Sequence, residues 1–192
     1  MQKPTPRLKK FDQLVMDLNI QWQMFDGLYE PSENYEIFNR TGPNFWNYLQ
    51  SYLLDTIFAS ISRFFDPAKT MGQENLSLLA IIAFDEVQAI RGDLENREKT
   101  MRPIFEKGIK IWRHKRLSHA DLNVALQVNA LPEVPFADIK KLVCDISEFA
   151  REINCQIHGY DQSYWVGIVE WVPQVMNYLK LGIEQKDKRT GA

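Results

Sequence analysis

Cysteine and histidine are scarce in this 192-residue chain, at two and three copies, and the scarcity narrows its chemistry. Cys144 and Cys155 are eleven residues apart in what reads as one helix, a separation of roughly 16 Å, beyond disulfide reach. They are expected to be reduced, partly buried thiols. HExxH and CxxC are also missing, so no zinc site is expected and the chain is read as needing no metal or other cofactor. Long apolar runs are lacking: "LSLLAIIAF" is too short for a membrane span, and "SYWVGIVEWVPQVM" is interrupted by Glu170 and Pro173. The basic opening "MQKPTPRLKKFDQLV" has no apolar run behind it and does not read as a secretory signal. These absences predict a soluble, cytoplasmic protein with no membrane partner. An excess of one charge is lacking too. The net charge is −2, so any contact with nucleic acid must be local rather than global.

What the sequence does have is helical periodicity almost throughout. Phe11, Leu14, Val15, Leu18, Trp22 and Phe25 predict a first helix over about 10–27. Next is a turn-rich connector with room for a short helix. Pro43 then suits the start of a helix over about 44–65, apolar on more than one face, which Pro67 ends at Asp66. A further helix from about Ser77 is expected to continue, or to break near Gly92, before the charged run "RGDLENREKTMR". Pro103 either starts or kinks the next one. "SHADLNVALQVNALPEVP" reads mainly as loop. Pro135 opens an amphipathic helix whose core face is Ile139, Leu142, Val143, Ile146, Phe149, Ala150, Ile153 and Ile157, with Gly159 as terminator. Ser163 is read as the cap of a last helix to about Gln185. The expected architecture is all-α: one domain over residues 1–192, a bundle of four to five main helices, with flexible tails at about 1–10 and 186–192.

One stretch breaks the even distribution of charge. "KIWRHKRLSHAD", Lys110 to Asp121, gathers two arginines, two lysines and two histidines into about three helical turns. Arginine presents a planar fork of donors that matches phosphate oxygens, and histidine exchanges protons near neutral pH. Together they supply what metal-free RNA cleavage needs: a proton shuttle and a stabiliser of charge on phosphorus. Asp121 could hold the ring of His119 or cap the segment after it. Arg113 and His119 would point roughly 120° apart on an unbroken helix. Either the helix bends around Leu117 and Ser118, or Arg116 and His119 form the pair, or two subunits each supply a residue. The plainer alternative is a basic helix end meeting its own dipole, with histidine as a cap. His158, just before Gly159, has that plain explanation. Arg63 and Asp66 in "SRFFDP" are read as an intrahelical ion pair.

"RHKRLSH", an arginine, five residues and a histidine in an all-helical chain, resembles the signature of the HEPN superfamily. Taken with the upstream "SRFFDPAKTMGQENLSL", it is similar to the abortive-infection U-two-like branch. The resemblance implies an all-α bundle and a metal-independent endoribonuclease of bacterial phage defence or a toxin–antitoxin system. It also implies a homodimer in which two motifs share one cleft. Carried onto this chain, Arg113 and His119 are the catalytic pair and His114 is an auxiliary phosphate or base contact. Ser118 and Asp121 are supporting residues, and RNA-backbone binding by Lys110, Lys115 and Arg116 is inferred from their charge. Some toxin-type relatives place a tyrosine two residues after the histidine, where a partner nucleotidyltransferase antitoxin modifies it; here Asp121 holds that position. Members that have lost the nuclease serve as binding modules for a protein, nucleotide or RNA. For such a role the aromatic last segment, with Trp165, Trp171 and Tyr178, offers a dimer surface or partner groove.

Overall fold

The apolar stripe of the first helix sets the frame. The computed structural model describes residues 5–117, 131–164 and 170–190, with the backbone alone for Arg116 and Leu117. Helix α1, Pro6–Tyr29, begins where Thr5 accepts a hydrogen bond from the Leu8 amide. Leu8, Phe11, Val15, Leu18, Trp22 and Phe25 recur every three or four residues and are all buried. At its end the Asn34 amide donates to the carbonyls of Gly27 (3.1 Å) and Leu28 (2.9 Å), which the helix itself leaves unpaired. Helix α2, Asn34–Thr41, lies in the turn-rich connector, and Gly42, at a φ of 140°, swings the chain into α3, Pro43–Phe64.

Helix α3 packs against α1, and the Tyr29 hydroxyl donates to the Trp46 carbonyl (2.8 Å). Its sequence suggested neighbours on several sides, but the structure gives it one buried face. Trp46, Leu53, Ile57, Phe58 and Ile61 are inside, whereas Phe45, Tyr48 and Tyr52 face outward. After Pro67 comes a small antiparallel hairpin, β1 (Lys69–Thr70) and β2 (Gln73–Glu74), which the helical periodicity had hidden. Its turn uses left-handed φ values at Met71 and Gly72, as tight hairpins require.

The expected long helix from Ser77 is divided. Ser77 caps a short α4, Leu78–Ile82; Phe84 is extended; a 3-10 turn spans Asp85–Ile90; and α5 runs Arg91–Lys107. The Arg91 side chain holds the break by donating to the carbonyls of Ile82 (2.9 Å) and Phe84 (3.3 Å). The charged run is therefore helix, and Pro103 lies inside α5 rather than at its start. Gly108 separates α5 from α6, Ile109–Trp112, which leads into a π-helical turn at Arg113–Leu117. Helix α7, Phe136–Ile153, buries Ile139, Leu142, Val143, Ile146, Phe149, Ala150 and Ile153 against α1 and α5. A second π-helical turn, Asn154–His158, ends at Gly159 in the left-handed conformation.

The last described helix, α8, is Trp171–Thr190 and packs on α2 and α1. Ser163 and Tyr164 are not helical, so Ser163 does not cap it. Residues 6–10 belong to α1 and 186–190 to α8, where Asp187 pairs with Arg40 at 2.6 Å. Both cysteines are free, with Cys144 exposed and Cys155 half-buried. Among the described residues the chain is an all-α bundle with one small hairpin. No described helix is long and apolar enough to cross a membrane.

Candidate functional site

The basic segment is positioned by three local devices. At Gly108 the backbone turns with φ −134° and ψ −71°, and a Cβ there would lie 2.8 Å from Val134 Cγ2. Only glycine lets the stretch of chain at 131–135 come this close. Trp112 anchors the next turn: its ring meets Phe58 of α3 edge-on at 5.5 Å, and its Nε1 donates to the Pro132 carbonyl at 2.7 Å. The backbone then widens into the π-helical turn, a rare geometry that is frequent at functional sites.

That turn carries Arg113, His114 and Lys115. The Arg113 guanidinium donates to Asp66 Oδ1 at 2.5 Å, with the arginine side chain 33% and the aspartate 21% exposed. Asp66 lies just beyond the end of α3, so the ion pair spans 47 residues of sequence. The expected Arg63–Asp66 pair is thereby corrected. Asp66 turns away from its own helix because α3 has ended at Phe64 and Pro67 prevents its continuation. Held on one side by a carboxylate, the guanidinium keeps the rest of its donor fork for another ligand. His114 is exposed and Lys115 half-buried. Lys110, one turn back, pairs with Glu106 at 3.1 Å on the exposed face. The Arg116 side chain, Ser118, His119 and Asp121 lie outside the described residues. The structure thus brings Arg113, His114 and Lys115 onto one turn.

Asp66 is the site residue that reading the sequence missed as a partner for Arg113. Its signal was present: "SRFFDP" and "WRHKRLSH" stood out together, and an acid beside a lone basic cluster invites pairing. Local spacing pointed instead to Arg63. Behind the pair, Phe65 stacks on Phe105 at 4.4 Å and Arg102 lies over Phe65 at 5.7 Å, so the end of α3 is fixed against α5. Arg102 also pairs with Glu98, a carboxylate almost fully buried in α5.

A second polar cluster lies across α1. The Tyr164 hydroxyl donates to Asp12 Oδ1, and the Asn154 amide donates to the same oxygen (3.0 Å) and to Tyr164 Oη (2.9 Å). Burial first, and then the Asp12 carboxylate, push the Tyr164 phenol well above its ordinary range; the same two causes raise Tyr160. His158 is buried at the end of the second π-helical turn, its ring stacked near Tyr160. Among the described residues no group of three His, Cys, Asp or Glu side chains gathers to hold a metal ion.

The model of the HEPN family described as AbiU2 matches residues 1–164. It covers α1 to Tyr164 and stops short of α8. No curated protein and no solved structure matches the chain.

Proposed function

This chain belongs to the AbiU2 family of the HEPN superfamily, and from that premise we propose that it is a metal-independent endoribonuclease. The observation that carries the proposal is Arg113: the motif arginine is half-exposed, set on a π-helical turn and oriented by Asp66. In the proposed reaction the 2′-hydroxyl of RNA attacks the adjacent phosphorus while His119 takes its proton. The 5′-oxygen leaves with a proton returned to it, and a 2′,3′-cyclic phosphate remains. Arg113 stabilises the charge that builds on the phosphoryl oxygens. His114, Lys110, Lys115 and Arg116 supply local positive charge for the RNA backbone, consistent with a chain whose net charge is only −2. Ser118 and Asp121 support the histidine.

The proposed setting is bacterial phage defence or a toxin–antitoxin system in the cytoplasm, with the chain as a homodimer whose two motifs face one cleft. A nucleotidyltransferase-type antitoxin is the partner such systems would add. The decisive experiment is cleavage of labelled RNA by the purified protein and by His119→Ala. A positioned proton-transfer residue contributes about 10²–10⁴-fold, so the variant should fold normally and lose activity on that scale. Cleavage that survives His119→Ala refutes the assignment, and cleavage abolished by EDTA replaces it with metal chemistry.

A second reading, a non-catalytic module that binds a partner, has its own support in α8. Trp171, Val175, Tyr178 and Leu181 are exposed along that helix, beyond the residues matched to the family. A monomer that binds RNA or protein and never cuts would favour it.

A further inference from the structure

Helix α3 turns three aromatic rings to the outside. Phe45 is 63%, Tyr48 79% and Tyr52 68% exposed, on a helix whose other side is deep in the core. Spaced three and four residues apart, they form one stripe on one face. The stripe differs from that on α8, where the aliphatic side chains Val175 and Leu181 are exposed along with Trp171 and Tyr178. Beside the α3 rings are Asn44, Asn47 and Ser51, all exposed, and no leucine or isoleucine of α3 is exposed. Flat rings among amides and hydroxyls present both apolar faces and hydrogen-bonding groups. They make a good stacking platform for bases, whose faces are apolar and whose edges need hydrogen bonds.

The stripe also leads to positive charge. Arg63 is exposed eighteen residues after Phe45, five full turns on, and so lies at the same angle around the helix. Just past it, Asp66 holds Arg113 on the π-helical turn that also carries His114 and Lys115. Asp55, on the edge of the face, is half-buried and has an interaction of its own. Aromatic rings running into a cationic end are the two elements single-stranded nucleic acid recognition requires: base stacking and phosphate neutralisation.

We infer that the outer face of α3 is a binding track for single-stranded RNA, with successive bases stacked on Tyr52, Tyr48 and Phe45 and the backbone entering at Arg63 and Arg113. The inference deepens the nuclease reading above and rests on it for the choice of RNA. The track lies to one side of the cleaved link, so it governs how tightly a strand is held rather than the chemistry.

The test uses a fluorescein-labelled single-stranded RNA, 2′-O-methylated throughout so that no hydroxyl can attack. Its anisotropy is followed with the full-length protein, a Tyr48→Ala/Tyr52→Ala variant and a Tyr48→Phe/Tyr52→Phe variant. Removing two stacking rings should weaken binding by about 30-fold or more, whereas phenylalanine should keep it close to the unaltered protein. Both positions are exposed, so circular dichroism should be unchanged. Equal binding by the alanine variant overturns the track, as does an unaltered protein that does not bind the strand. If light scattering shows the alanine variant to be a monomer where the unaltered protein is a dimer, the face is a contact between two copies and the inference fails. Cleavage of unmodified RNA is measured separately. Tyrosine-dependent binding without any cleavage leaves the track standing and removes the nuclease reading; cleavage with binding unaffected by alanine does the reverse.

Discussion

Arg113 with Asp66, and Tyr164 with Asp12 and Asn154, are both polar clusters that tie distant parts of the chain together. They differ in what they leave open. In the second cluster Tyr164 and Asn154 are buried, and their polar groups meet one another and one Asp12 oxygen. In the first, the arginine is half-exposed and one carboxylate oxygen engages one end of its fork. A buried polar network that satisfies itself rigidifies a fold. A charged group that is oriented but only partly engaged is prepared for a ligand. On the proposed function the two regions therefore differ in role, and that reading can be broken experimentally.

The largest effect is expected at the open cluster. Arg113→Ala should lower single-turnover RNA cleavage by about 10²–10³-fold, the usual loss for a removed oxyanion donor, with little change in thermal midpoint. A variant that cuts normally but melts early would reverse the roles of the two clusters. Tyr164→Phe should do the opposite: it leaves Asp12 short of a donor and costs about 1–3 kcal/mol of stability, read as a lower melting midpoint, while cleavage per folded molecule stays unchanged.

Alkali probes the buried side of the molecule further. Burial, aided by Tyr35, raises the Tyr29 phenol from 10.0 to about 12, and Tyr164 is raised more strongly. The folded state holds these protons more tightly than the unfolded chain does. Their contribution is therefore fully present below about pH 10 and is lost as pH rises toward 12 and beyond. Chemical denaturation between these values should show falling stability, and Tyr29→Phe should flatten the part due to Tyr29.

Smaller effects sharpen the contrast. Asp66→Asn keeps the shape of the oxygen but removes the charge that orients Arg113, so cleavage should fall about tenfold, as for other residues that orient an active group. Arginine at 113 with asparagine at 66 should still bind RNA. Lys110→Ala should barely move stability, since its partner Glu106 is equally exposed and such pairs contribute about 0.5 kcal/mol or less. It should lower the salt dependence of RNA affinity by about one phosphate contact.

How much of this was legible in the sequence varies from element to element. Helices α1 and α7 were readable almost residue by residue, because each buries one unbroken stripe and nothing else competes for it. The division at Phe84 was not, because the side chain of Arg91 folds back to hold it. Nor was the hairpin, whose strands are two residues each and too short to show a period. The outward exposure of Phe45 on α3 was not legible either, because apolar composition alone does not say which face has a neighbour. The basic segment was found by its residue types, but its acidic partner was assigned to Arg63 from spacing.

By itself, then, the sequence determined the helical class, the positions of the main helices and the segment in which arginine, lysine and histidine gather, because these depend on spacing along the chain and on side-chain chemistry. The tertiary structure alone decided that Asp66 meets Arg113, that Tyr164 closes over Asp12, and that the rings of α3 face outward. All three depend on how segments far apart in the chain pack, and no local periodicity encodes which surfaces the packed bundle brings together or leaves outside.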